Sequence, residues 1–211
     1  MSTEAQSNPS THSSLPTSSR QLIVIGGPNG TGKTTLADEF LDEQPCIYLS
    51  ADLMAYKLAP DDPDGARFSA GKAYFSALNE AMQTEESILI ESTLSGIGMA
   101  RTFERAREAE MPITLVMMFL DGPETCLKRV QLRVKKGGHD VPDRAVRRRF
   151  WRSIRNFWNS YRFLADQWVL VYNAESTFHD VAMGAEDSYI VQDEALFGQF
   201  LSLVNDETNP A

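Results

Sequence analysis

Read for its apolar positions, the chain alternates short hydrophobic runs with longer amphipathic ones. Five runs read as strands: Gln21 to Gly27, Pro45 to Ser50, Ser87 to Ser92, Pro112 to Leu120 and Trp168 to Tyr172. The fourth is almost wholly apolar, as a strand covered on both faces must be. Helical spacing fills the intervals: Thr34 to Glu43, Leu53 to Leu58, Ala66 to Thr84, Gly98 to Glu110, Pro123 to Lys136 and Asp143 to Gln167. In the third of these Phe68, Tyr74, Phe75, Leu78 and Met82 share roughly one face. In the last, Val146, Phe150, Ile154, Phe157, Tyr161 and Leu164 recur at steps of four and three and form one apolar stripe. Asp61 to Gly65 reads as a turn. Beyond Asn173 the pattern weakens to a hairpin around Met183 to Ser188 and a closing helix, Ala195 to Val204. Strands alternating with helices predict an α/β fold of three layers, α/β/α, around a five-stranded, mostly parallel sheet. Right-handed crossovers then put a ligand crevice at the C-terminal strand ends.

Composition narrows the class. At 211 residues and 42% apolar, one domain with an ample core is expected. Residues 1–20, rich in Ser, Thr and Pro, read as a disordered tail without the basic and apolar regions of a secretory signal. The folded domain runs over 21–205, and 206–211 are expected to fray. No apolar run approaches the ~20 residues of a membrane span. The two cysteines, Cys46 and Cys126, fall in an expected strand and an expected helix. They form no disulfide framework and no metal-ligand spacing, which favours a reducing cytoplasm. The net charge of −9 argues against a general nucleic-acid binder. Yet Lys128 to Arg155 holds eleven Lys and Arg against two acids, leaving 9 basic and 27 acidic residues elsewhere. An anion belongs against that one segment.

The candidate chemistry begins directly after the first strand. Gly27-Pro28-Asn29-Gly30-Thr31-Gly32-Lys33-Thr34 matches G-x-x-x-x-G-K-[ST] in strand–loop–helix context and marks a P-loop NTPase fold. In such a loop glycines let backbone N–H groups cradle phosphates, and the helix N-terminus, continuing through Thr35, adds partial positive charge. Lys33 reaches the β- and γ-phosphates of a nucleotide, and the Thr34 hydroxyl ligates Mg²⁺. Asp52 follows the second strand as a candidate general base, since phosphoryl transfer to an alcohol needs a carboxylate near the hydroxyl proton. An N-cap is its structural alternative. Glu91 ends the third strand, where a carboxylate can reach Mg²⁺ through water or bond a substrate hydroxyl. Thr93 and Ser95 follow it as further substrate-binding candidates.

The basic segment reads as a helical lid over about 128–160. Arg129 and Arg133 lie one turn apart on its first helix, as nucleotide and catalytic contacts. Gly137-Gly138 reads as a hinge, with His139 beside it as a candidate substrate contact. On the long helix Arg147 sits beside the apolar stripe, where an unpaired charge is costly and an anion or carboxylate is needed. Arg144, Arg148, Arg152 and Arg155 share the far side, where Arg152 and Arg155 read as a solvated basic face answering the acidic remainder, and Arg133 and Arg147 read as phosphate contacts. Closing such arginines onto transferring phosphates excludes water.

The motif order now resembles the zeta-toxin-like P-loop kinases. The resemblance is carried by Gly26 to Thr35, Ser50-Ala51-Asp52, Glu91-Ser92-Thr93-Leu94-Ser95-Gly96, Arg129-Val130-x-x-Arg133-Val134, Gly137-Gly138-His139-x-Val141-Pro142, Arg147-Arg148-Arg149-Phe150 and Ser153-x-x-Asn156. It spans about Gln21 to Asn173 and looks closest to the short stand-alone branch. It implies ATP and Mg²⁺, Asp52 as the activating base, Glu91 and Thr93 on the acceptor, and Arg133 with Arg147 or Arg148 as lid arginines. In the toxins of epsilon–zeta pairs the acceptor is UDP-N-acetylglucosamine, and a protein antitoxin is the partner such members imply. One departure is visible: relatives often carry Asp-Asn after the fifth strand, and here it reads Tyr172-Asn173.

Three functions compete. The first is a kinase, a phosphotransferase acting on a hydroxyl of a small molecule such as a nucleotide-sugar. The second is a polynucleotide-end kinase, which predicts steeply salt-dependent oligonucleotide binding. The third is a non-enzymatic nucleotide switch, indifferent to Asp52 but dependent on Lys33.

Overall fold

The computed structural model describes residues 20–59, 65, 67–138, 140–174 and 177–206. His139 and most of the expected 61–65 turn lie outside the described residues, as do 1–19, 207–211 and the side chains of Asp52 and Phe68. Strands β1 (Leu22–Gly26), β2 (Ile47–Leu49), β3 (Ile88–Ser92), β4 (Ile113–Phe119), β5 (Gln167–Ala174), β6 (Thr177–Ala185) and β7 (Ser188–Val191) form one sheet in the order β2-β3-β1-β4-β5-β6-β7. The first five are parallel and the last two antiparallel. The sheet is therefore seven-stranded rather than five-stranded. The weak pattern beyond Asn173 is a long hairpin that continues the sheet, turning at Glu186, whose φ is +51°.

The α-helices among the described residues are α1 (Lys33–Glu43), α2 (Ala51–Leu58), α3 (Arg67–Ala81), α4 (Met99–Glu108), α5 (Pro123–Lys135), α6 (Asp143–Asn159) and α7 (Glu194–Val204). Alternate side chains of each strand point to opposite faces, so two cores form. Ile23, Ile25, Val116, Met118 and Val171 pack under Leu36, Ala37 and Phe40 of α1. Leu22, Val24, Ile90, Leu115 and Met117 face the larger core of α3, α4, α5, α6 and α7. Trp151 and Trp168 lie in that core, with Trp158 packed against it.

Three boundaries differ from the sequence reading. The long helix stops at Asn159, and Tyr161–Phe163 form a 3₁₀ turn. There the buried Arg162 guanidinium stacks 4.3 Å from the Trp158 ring and 3.9 Å from Phe163, donating to Trp158 O and Glu186 O. The turn thus spends an arginine on fastening α6 to the hairpin. At the other end, Arg20 is no part of a tail: its guanidinium donates to the carbonyls of Thr84, Ala109 and Met82. Asp206, expected to fray, accepts from Arg155. Among the described residues no helix is long and apolar enough to cross a membrane.

Arg20→Ala strands three carbonyls of the β3 and β4 approaches at once, and should destabilise folding by about 2 kcal/mol, read as a lower urea midpoint with an unchanged slope.

Candidate functional site

The strand ends make the site. β1 pairs with β3 and with β4, so that Gly26 stands level with Ser92 and with Met117. The loop leaving β1 is therefore centred on the parallel edge. Its glycines are required by contact as well as by conformation. Gly32 has φ +94°, and a Cβ there would lie 2.5 Å from Asn173 Nδ2. Gly30 has φ +83°, and a Cβ there would lie 2.7 Å from the Cys126 carbonyl oxygen. Left-handed backbone at both positions admits glycine and penalises other residues. Asn173, 3% exposed, donates to Thr31 O at 2.8 Å, and Arg129 donates to Asn173 O at 3.1 Å. The Tyr172-Asn173 strand end thus braces the loop from below, while Tyr172 donates to Asp121.

Within the loop Thr31 is buried and its hydroxyl donates to Pro28 O. Gly27, Pro28 and Thr31 shape the loop from underneath, whereas Asn29, Gly30, Gly32, Lys33, Thr34 and Thr35 line a cleft of about 550 Å³. The Lys33 ammonium donates to Pro28 O at 2.8 Å. No side chain caps the N-terminus of α1, which leaves backbone donors and a positive helix end facing the cleft. Beneath it, burial pushes the Cys126 thiol up to about 12, so it stays neutral under the lysine.

Opposite the loop stand Glu91, Thr93 and Ser95. Glu91 does not join the two hydroxyls. Its Oε2 accepts from Thr34 at 3.1 Å and its Oε1 from Tyr48, while Thr93 and Ser95 bond each other at 2.8 Å. Thr34 and Glu91 offer a hydroxyl and a carboxylate, hard oxygen donors suited to Mg²⁺. Among the described residues no three His, Cys, Asp or Glu side chains gather into a metal cage. Mg²⁺ needs none, because it keeps water and binds through one or two carboxylates plus phosphates. Ser50 and Ala51, the end of β2 and start of α2, line the same cleft, and Asp52 is the next residue along that helix.

The arginines sort differently from the sequence expectation. Arg129 and Arg133 line the cleft, and the third to do so is Arg149, which donates to Asn29 Oδ1 at 3.3 Å. Arg147 instead forms a two-point ion pair with Glu124 at the start of α5, and the exposed Arg148 is not in the lining. The carboxylate that Arg147 required is thus on the neighbouring helix. Ser153 and Asn156 follow Arg149 at steps of four and three, so all three share one face of α6. Ser153 donates to Thr93 O, Asn156 to Leu94 O at 2.8 Å, and Tyr161 to Gly96 O. These bonds fasten the Thr93–Gly98 loop, in which Leu94 adopts φ +53°. That polar series beside the apolar stripe was the available signal for Arg149.

The hinge expectation also changes. Gly137 has φ +86°, its N–H bonds Val134 O, and the Gly138 N–H bonds Arg133 O. This is a Schellman stop to α5, not a free pivot. A Cβ at Gly138 would lie 2.5 Å from Arg133 Cγ, so the stem of Arg133 lies against the cap. With Val146, Phe150, Ile154 and Phe157 all 0% exposed, α6 is a wall of the core. The region expected to be a lid is anchored along most of its length.

A family model described as an AAA domain matches residues 22–153, the segment that holds every element of the cleft except β5. An uncharacterized protein of Haemophilus influenzae is 30% identical over 130 residues, covering 62% of this chain and 92% of the relative. Among solved structures, a chain of the AvrRxo1-ORF1:-ORF2 crystal structure with ATP superposes with a TM-score of 0.66 at 18% identity, over 90% of this chain and 66% of that one. A chain from the PezAT chromosomal toxin–antitoxin system of Streptococcus pneumoniae gives 0.61 at 16% identity, over 90% and 82%. The chain therefore spans about two thirds of the AvrRxo1 chain it resembles. At these identities the structural likeness is one of fold, a P-loop architecture around a mostly parallel sheet. Its phosphate loop, central parallel strands and arginine-bearing helices over Leu22 to Ser153 place this chain in the AAA-domain family of P-loop proteins.

Proposed function

We propose that this chain is an ATP-dependent kinase that phosphorylates a hydroxyl of a small molecule, with a nucleotide-sugar such as UDP-N-acetylglucosamine as the first acceptor to try. The observation that carries the reading is one cleft holding the P-loop lysine, three arginines, a carboxylate on Thr34, and the strand end that leads into Asp52. In this reading Lys33 releases Pro28 O for the β- and γ-phosphates, and Arg129, Arg133 and Arg149 bind the remaining phosphate oxygens. Mg²⁺, held by Thr34 and Glu91, would neutralise charge building on those oxygens. Thr93 and Ser95 orient the acceptor, and Asp52 takes its hydroxyl proton. The acceptor oxygen then bonds the γ-phosphorus as the bridge to the β-phosphate breaks, and ADP leaves. The AvrRxo1 and PezAT neighbours both come from two-protein systems, and a protein that covers this cleft is the partner we propose here.

Labelled ATP, Mg²⁺ and a metabolite extract, with UDP-N-acetylglucosamine as a separate defined acceptor, test the reading in wild type and Asp52→Asn. A phosphorylated small molecule formed by wild type alone is expected. Equal labelling by both removes Asp52 as base, and no labelled small molecule from either contradicts the kinase. In the same assay Arg149→Ala should lower the transfer rate by about 100-fold or more, the scale of losing one donor to a developing oxyanion. Arg147→Ala should leave it nearly unchanged, since an exposed pair contributes at most about 1 kcal/mol.

A further inference from the structure

Tyr48 enters no part of the chemistry above, yet its hydroxyl sits at the metal side of the cleft. Sheet geometry puts it there. β2 pairs in parallel with β3, with Tyr48 opposite Leu89 and Leu49 opposite Ile90. Residues two apart share a face, so Tyr48, Leu89 and Glu91 all project toward α1, where Tyr48 packs against the core that includes Leu36 and Leu89. Glu91 is then the diagonal neighbour of Tyr48, within reach of a long aromatic side chain. The phenol donates to Glu91 Oε1, and Thr34 donates to Glu91 Oε2 at 3.1 Å. The carboxylate is gripped at both oxygens, by β2 on one side and by the P-loop threonine on the other. The Ser50 side chain also hydrogen-bonds the phenol, which joins the end of β2 to the same cluster.

We propose that Tyr48 is a positioning residue for the metal. By holding one oxygen of Glu91 it turns the other toward Thr34 and toward Mg²⁺, and it takes Glu91 away from Thr93 and Ser95, the hydroxyls that orient the acceptor. The proposal rests on the nucleotide-binding reading of the cleft. A carboxylate free to swing would serve acceptor and metal in turn. One pinned by a phenol serves the metal, as outer partners fix a ligand's direction in other metal sites.

The test is a binding titration rather than a turnover measurement. A fluorescent ATP analogue is titrated into wild type, Tyr48→Phe, Glu91→Gln and the double variant, with Mg²⁺ and with EDTA. Wild type should bind more tightly with Mg²⁺, and Glu91→Gln should lose that gain. Tyr48→Phe should need about 10-fold more Mg²⁺ for the same gain, with its affinity in EDTA unchanged, and the double variant should match Glu91→Gln. Tyr48→His, which retains a ring donor, should recover part of the loss and serves as the second variant should Tyr48→Phe fold poorly. Tyr48→Phe behaving as wild type while Glu91→Gln loses the gain overturns the role of Tyr48 alone. Glu91→Gln keeping the full gain overturns the metal-side assignment and the proposal with it. No binding of the analogue by wild type overturns the nucleotide reading itself.

Discussion

Backbone pairing of β1 between two parallel neighbours is the constraint on which this molecule depends. With β3 on one side and β4 on the other, the loop after Gly26 has nowhere to emerge but the middle of the C-terminal edge. Every other contributor then arrives at that edge by topology. β2 delivers Ser50 and the start of α2, β3 delivers Glu91 and Thr93, and β5 delivers Asn173. The contacts that follow are short and specific because the strands leave little freedom. Asn173 can hold Thr31 O, and Cys126 O can lie under Gly30, only while the loop carries no Cβ at Gly30 and Gly32.

A second constraint is laid over the first by α6. One face of this helix is committed to the core through Val146, Phe150, Ile154 and Phe157. The adjacent face carries Arg149 toward Asn29 and then Ser153 and Asn156 onto the carbonyls of Thr93 and Leu94. The same rigid element therefore spans the P-loop and the loop bearing Thr93 and Ser95. Bonds to successive carbonyls also stabilise Leu94 in a left-handed conformation that costs a residue with a side chain roughly 1 kcal/mol or more. The spacing between the two loops is set by helix geometry, not by a flexible connection.

Much of this was legible in the residues. Gly27 to Thr34, the parallel strands and the strand-end positions of Glu91 and Thr93 follow from motif and period alone, because each depends on neighbours close in sequence. What was not legible depends on partners far away. Arg147 and Arg149 are two residues apart on one helix, and it takes the placement of Glu124 on α5 to show that Arg147 pairs there while Arg149 lines the cleft. Gly137-Gly138 reads equally as pivot or helix stop until the carbonyls of Arg133 and Val134 are in place. Tyr161 continues the apolar stripe by count, yet it leaves the helix because its hydroxyl meets Gly96 O and Arg162 beside it stacks on Trp158. Tyr48 looked like one more strand residue, and its meaning came from the register of β2 on β3.

The kinase we propose must grip a triphosphate in this cleft with its terminal phosphorus facing the α2 end of β2. A crystal structure with Mg²⁺ and a non-hydrolysable ATP analogue tests it most directly. The γ-phosphate is expected between Lys33 Nζ and the Arg149 guanidinium, with Lys33 drawn off Pro28 O and the Asp52 carboxylate on the open side of that phosphate. A triphosphate bound elsewhere, or Asp52 turned away across the sheet, would contradict it.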